Sequence, residues 1–204
     1  MSVPNSILLA TENFAKAAEI SAVFSKLVGQ KITILTLRDL DTVIEFPDEI
    51  GSSFCEIATA KALAAMTSSG LPSIGDDSGL CVDALEGAPG IKSRRWAGEL
   101  NDDSARNAAL IKALQPFPDK RTASFITCAA LCIPGQKSVD AVGECRGTIV
   151  DVPRGENGFG YDPIFEVAGL GSTMAELTQA EKNSVSHRAR AIGSLIAKLG
   201  WIDG

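Results

Sequence analysis

Two aspartates stand side by side as Asp76 and Asp77, after the apolar run "LPSIG" and ahead of Ser78 and Gly79. A carboxylate in such a place could hold a divalent cation and accept a proton from an attacking water. Neighbouring strand residues point to opposite faces, so one aspartate would face a ligand while the other supports it. The same letters also spell a turn, because Asp, Ser and Gly are common turn residues. The local pattern leaves both readings open.

Three further stretches could do chemistry. In "LLATENFAK" a strand runs into a helix through Thr11 and Asn13, with Lys16 about one turn in. Free amides at the positive end of a helix dipole, joined by a lysine, suit a phosphate; a plain N-cap at Thr11 with a solvated Lys16 fits as well. The loop "RDLDTVIEFPDEIGSS" offers Asp39, Asp41, Glu45, Asp48 and Glu49, with Lys61 on the helix that follows. Mg²⁺ takes one or two carboxylates plus water and phosphate oxygens, and spacing alone does not choose among these acids. The last stretch pairs "GENGFGYDP" with "EKNSVSHRARA". Its glycines permit close backbone approach, and Phe159 and Tyr161 offer faces for a flat base. Asp162, Lys182, His187 and Arg188 supply donors and acceptors, and Ser186 is placed to cap the final helix.

The elements that must position these residues follow from periodicity. Residues 6–10 read as a strand, the following "TENFAKAAEISAVFSKL" as a helix, and residues 31–37 as a second strand. A helix is expected from about 54 to 69, opened by a capping box of Ser53 and Glu56. "LPSIGDDSGLCVDAL" predicts one strand into the aspartates and another leaving them. "GAPGIKSRRWAGE" reads as a loop, and "DDSARNAALIKAL" as a helix with an Asp cap. Two long strands, "RTASFITCAALCI" and "SVDAVGECRGTIV", flank the turn "PGQK". The glycine loop leads to a short strand, "IFEV", and Ile192, Leu195, Ile196 and Leu199 form one apolar stripe of a terminal helix. The order βαβαββαββα implies a mixed sheet with flanking helices.

Bulk properties narrow the classes. A chain of 204 residues suits one well-buried domain spanning 1–204, or one domain built as two lobes. The net charge of −6 argues against a duplex-wrapping protein, so nucleic acid is not an expected partner. No run reaches the length of a membrane span, and the N-terminus lacks signal-peptide character, so a cytoplasmic protein without membrane association is expected. The cysteines (Cys55, Cys81, Cys128, Cys132 and Cys145) are odd in number and lie in apolar runs, which predicts reduced thiols. Cys128 and Cys132 are expected to pack in the core.

Taken together, "TENFAK", "DDSGL", "EGAPGIKSRRWAG", "GFGYDPIF" and "AELTQAEKNSVSHRARA" resemble the inosine triphosphate pyrophosphatase family, in order, from residue 7 to about 192. The resemblance implies an elongated α/β fold with a mixed β-sheet, flanking helices and two lobes around a central cleft. It further implies Mg²⁺ dependence, commonly a homodimer, and hydrolysis of ITP, dITP and XTP to the nucleoside monophosphate and pyrophosphate. By the same resemblance, Thr11, Asn13 and Lys16 hold the triphosphate, Lys61 and Ser78 contact the substrate, and Glu49 and Asp77 bind the metal. Asp77 is also the implied proton acceptor, while Phe159, Gly160, Tyr161, Asp162, Lys182, His187 and Arg188 match the base pocket. Two stretches depart from the family pattern: Ile57 stands where Asn is usual, and Glu156-Asn157 where small glycines are frequent.

Overall fold

The computed structural model describes residues 3–28, 32–47, 51–96, 98 and 102–201. Six strands form one mixed sheet in the order β2-β1-β3-β4-β5-β6. They are β1 (Ser6–Leu9), β2 (Thr33–Leu35), β3 (Ser73–Val82), β4 (Thr122–Cys132), β5 (Val139–Ile149) and β6 (Phe165–Val167). The helices are α1 (Phe14–Val28), α2 (Phe54–Ser69), α3 (Asp103–Ala113), α4 (Gln179–Val185) and α5 (His187–Leu199). β1 pairs in parallel with β2 (Ile7 opposite Ile34) and with β3 (Leu8 opposite Ser73), whereas β5 and β6 are antiparallel (Thr148 opposite Glu166). No helix among the described residues is long and apolar enough to cross a membrane.

The chain divides into two compact units, and the chain passes between them at Asp77–Ser78, Ile126–Thr127, Gly143–Glu144 and His187–Arg188. In the first unit β1 is apolar on both faces, as a parallel strand covered on both sides must be. Ile7 and Leu9 join a core with Ile20 and Phe24 of α1, Leu131 of β4, and Ile192, Leu195, Ile196 and Leu199 of α5. Leu8 and Ala10 join a second cluster with Ile44 and Ala65 of α2. The expected stripe of α5 is therefore wholly buried. Small residues let α2 come close to β3: a Cβ at Gly75 would lie 2.2 Å from the Ala58 carbonyl oxygen and 2.8 Å from the Ala62 nitrogen. In the second unit Leu80 and Val82 of β3, Leu110 of α3, Phe125 of β4 and Ile149 of β5 enclose Tyr161, Ile164 and Phe165.

Several local expectations change in the folded chain. β3 is one continuous strand from Ser73 to Val82, so the aspartates lie inside it, not at a turn or a strand end. β2 is shorter than expected: Thr36 and Asp39 form a reciprocal capping box, and the chain enters a 3₁₀ turn at Leu37–Asp39. Another 3₁₀ segment, Gly90–Arg95, occupies what reads as a loop. At the start of α2 the Ser53 hydroxyl accepts from the Glu56 amide, but the Glu56 carboxylate turns to the Ser52 N–H and hydroxyl instead of closing the predicted box on Ser53. The terminal region holds two helices, with α4 opened by Thr178 and Glu181 and the extended Ser186 separating it from α5. Cys55 of α2 and Cys128 of β4 form a disulfide between Cα atoms 5.1 Å apart, against the expectation of reduced thiols throughout. Cys81, Cys132 and Cys145 remain thiols, with Cys132 buried as expected.

Candidate active site

The first unit gathers charge around the aspartates of β3. Asn13, not Thr11, caps α1: its Oδ1 accepts from the amides of Ala15 and Lys16 at 3.0 and 3.2 Å, while the Thr11 hydroxyl accepts from the Asn13 amide at 3.2 Å. This turn aims Lys16 at β3, where its Nζ donates to Asp76 Oδ2 at 3.0 Å. Lys16 is therefore not a solvated charge. Arg188, at the start of α5 and 2% exposed, lies 3.6 Å from the same Asp76 oxygen and is ion-paired with Glu19 of α1. Burial works against an ionised Asp76, but the positive charges of Lys16 and Arg188, with a smaller contribution from Lys61, hold its carboxyl well below the usual range. Asp76 is thus locked as an anion between cations.

Asp77 takes a different partner, Lys61 Nζ of α2 at 3.5 Å. The alternation of a strand accounts for this division, since successive side chains leave on opposite faces. Gly75 matters here because it lets α2, and hence Lys61, approach β3 closely. Asp77 is a hard oxygen donor of the kind Mg²⁺ accepts beside phosphate and water. Glu49, the second carboxylate implied for the metal, lies outside the described residues, as does Asp48. Cys55, Cys128 and Asp140 are close enough to share a metal, but the two sulfurs are bonded to each other.

The second unit holds the glycine loop. Asp162 Oδ2 accepts from the Phe159 amide at 2.9 Å and from Lys182 Nζ at 2.6 Å, with both charged side chains buried. The Lys182 ammonium lies 4.9 Å from the centroid of the Phe159 ring, a cation–π contact. Asp162 and Lys182 therefore shape the loop as an ion pair. Tyr161 does not present an open face: its ring is in the core, its hydroxyl donates to the Ser93 carbonyl at 2.9 Å, and burial raises its pKa. Phe159 itself is half-buried. His187 stacks on Phe125, with centroids 4.7 Å apart and planes 12° from parallel. Ser78 is half-buried on β3 directly after Asp77.

The described expected residues thus fall into two groups, Thr11, Asn13, Lys16, Lys61, Asp77 and Arg188 in the first unit and Ser78, Phe159–Asp162, Lys182 and His187 in the second. Within the first unit Arg188 lies with Asp76 and Glu19. Glu19 was missed, although its spacing of three from Lys16 puts both on one face of α1. Phe125 was missed because an aromatic in an alternating strand reads only as core.

The chain belongs to the Ham1 family, which it matches over residues 7–198. A dITP/XTP pyrophosphatase of Geobacter sulfurreducens is 47% identical to it over 198 residues, 96% of each chain. A second dITP/XTP pyrophosphatase, from Lactiplantibacillus plantarum, is 43% identical, covering 97% of this chain and 96% of the other. The solved structure of a HAM1 protein from Coxiella burnetii superposes with a TM-score of 0.85 at 38% identity, covering 97% of this chain and 99% of that one.

Proposed function

We propose that this protein hydrolyses the non-standard purine nucleoside triphosphates dITP, XTP and ITP to the monophosphate and pyrophosphate, and so keeps them out of the DNA and RNA pools. The observation that carries the site assignment is the charge cluster on β3: Asp76 neutralised by Lys16 and Arg188, and Asp77 beside Lys61. The substrate class rests on its similarity to the dITP/XTP pyrophosphatases.

In this mechanism water attacks the α-phosphorus and Asp77 accepts its proton. Asp76 is the poorer base, because Lys16 and Arg188 hold its pKa well below the usual range and so weaken its affinity for a proton. Lys16 and Lys61 offset the charge that builds on the phosphate oxygens as the bond to the leaving pyrophosphate breaks. Thr11, Asn13 and Ser78 orient the phosphates, and Arg188 acts through Asp76, holding Lys16 in place. Mg²⁺ held by Asp77 and Glu49 would supply further neutralisation of the triphosphate. Phe159 stacks the base. Lys182 and Asp162 hold the shape of its loop with Gly160 and Tyr161, and His187 supplies a donor to the 6-keto edge. Adenine carries an amino group at that position, which would leave such a donor unpaired, and mismatches of this kind can cost factors of roughly 10⁴. The working form is a cytoplasmic homodimer that engages neither nucleic acid nor membrane.

The test is product identification with dITP, XTP, ITP and ATP, with Mg²⁺ and with a chelator. Pyrophosphate from the keto purines, lost on chelation, is expected. Orthophosphate would indicate stepwise dephosphorylation, and tight binding without turnover would indicate a sensor; either outcome overturns the reading.

A further inference from the structure

We infer that Asp103, at the first position of α3, is the positioning residue that sets the base loop, and through it the binding of the purine moiety. The inference rests on the assignment of Phe159–Asp162 as that loop. Three successive residues of this loop are held by three different anchors. Phe159 is held from within, its amide donating to Asp162 Oδ2 at 2.9 Å. Tyr161 is held through its hydroxyl on the Ser93 carbonyl at 2.9 Å. Between them the Gly160 amide donates to Asp103 Oδ2 at 2.6 Å, 57 residues away in sequence. A carboxylate accepting a backbone amide makes a charge-assisted bond, about twice as strong as a neutral one.

Asp103 reaches the second anchor as well. Its other oxygen is ion-paired with Arg106, whose Nη1 donates to the Arg94 carbonyl at 3.1 Å, beside the Ser93 carbonyl that takes Tyr161. One carboxylate thus links the loop to α3 and, through Arg106, to the Gly90–Arg95 segment. It is not needed to begin the helix, because Asp102 is the N-cap and accepts from the Ser104 amide at 2.9 Å. Nor is it part of the core, its side chain being 43% exposed. An acid at this position also suits the helix dipole and pairs with Arg106 three residues on; what neither role accounts for is the bond from the Gly160 amide. Gly160 has φ of +65°, and its amide bond to Asp103 ties it to a residue outside the loop.

The experiment compares Asp103→Ala and Asp103→Asn with the wild-type enzyme, using dITP as substrate and inorganic tripolyphosphate as competitive inhibitor. Tripolyphosphate probes the phosphate-binding residues without the base. Losing one charge-assisted bond predicts a KM for dITP raised about ten-fold in Asp103→Ala. The kcat and the tripolyphosphate inhibition constant should stay within about two-fold, and Asp103→Asn, which keeps an acceptor, should recover most of the KM. Amide exchange at Gly160 should quicken about ten-fold in Asp103→Ala while Leu110 in α3 keeps its protection. Unchanged exchange at Gly160 overturns the inference, as does a fall in tripolyphosphate affinity equal to the rise in KM. Phe159→Ala separates the two layers. If it raises KM and Asp103→Ala does not, the positioning role is wrong; if neither moves KM, the assignment of the base loop fails and the inference fails with it. Should Asp103→Ala not fold, Asp103→Leu, which fills the space without an acceptor, must meet the same requirements.

Discussion

Replacing Asp77 by asparagine should nearly abolish turnover while leaving the fold in place, and replacing Asp76 should do the reverse in proportion. General-base catalysis contributes about 10²–10⁴ in rate, so the barrier should rise by about 3–5 kcal/mol when the amide cannot take the proton. The structural cost is smaller. The Lys61–Asp77 pair at 3.5 Å has a gross Coulomb attraction of about 5 kcal/mol at an effective dielectric constant near 20. Desolvation offsets most of this, and Lys61 can turn to solvent, which leaves a net loss of about 1–2 kcal/mol. Asp76 differs because it is locked between Lys16 and Arg188. Neutralising it strands buried positive charge, for a stability loss of about 3 kcal/mol, at the low end because Glu19 still pairs with Arg188. Pyrophosphate release at saturating dITP and urea unfolding of both variants decide the matter. More than a tenth of wild-type kcat in Asp77→Asn, a loss under about 1.4 kcal/mol, would refute the base assignment. Equal stability losses in the two variants would refute the division of labour along β3.

Three further outcomes follow from the same geometry. The Asp76 carboxyl is held below its ordinary 3.8, so its contribution to stability is present above that pH and is lost as pH falls through the lower folded value. Melting temperature from pH 6 to 2 should therefore drop less steeply in Asp76→Asn than in the wild type, and parallel curves would count against the coupling. Gly75→Ala should destabilise by about 3 kcal/mol and depress kcat, because the new Cβ displaces α2 and with it Lys61; wild-type urea midpoints would show that β3 and α2 are not so close. The disulfide closes a 73-residue separation, which in the chain-entropy account is worth about 4 kcal/mol. Dithiothreitol should lower the urea midpoint of the wild type and leave Cys55→Ser unmoved, and a wild-type midpoint indifferent to reductant would argue that the bond does not form in solution.

Much of the fold was legible because its signals are local. The helix at Phe54–Ser69 is marked by Ser53 before it and Gly70 after it, and the long strands of β4 and β5 by their length and the turn between them. The stripe of Ile192, Leu195, Ile196 and Leu199 names the buried face of α5 without any coordinates. The residues of the candidate site were also legible as types: a lysine one turn into a helix, paired acids, and a glycine loop with an aromatic. Their partners were not.

What tertiary structure decided is where each charge and ring spends its interactions. Local propensity reads Asp-Asp-Ser-Gly as a turn, yet β3 runs straight through it, because Lys16, Arg188 and Lys61 arrive from three separate helices to balance the carboxylates. Tyr161 looks like a stacking face and becomes core, since Ser93 supplies the acceptor its hydroxyl needs. Cys55 and Cys128 look like separate buried thiols and become one bond, since α2 packs on β4. Capping and periodicity act within a few residues, so one sequence window contains both partners. Ion pairs, disulfides and buried hydroxyls join residues tens of positions apart, and only the folded chain brings those partners together.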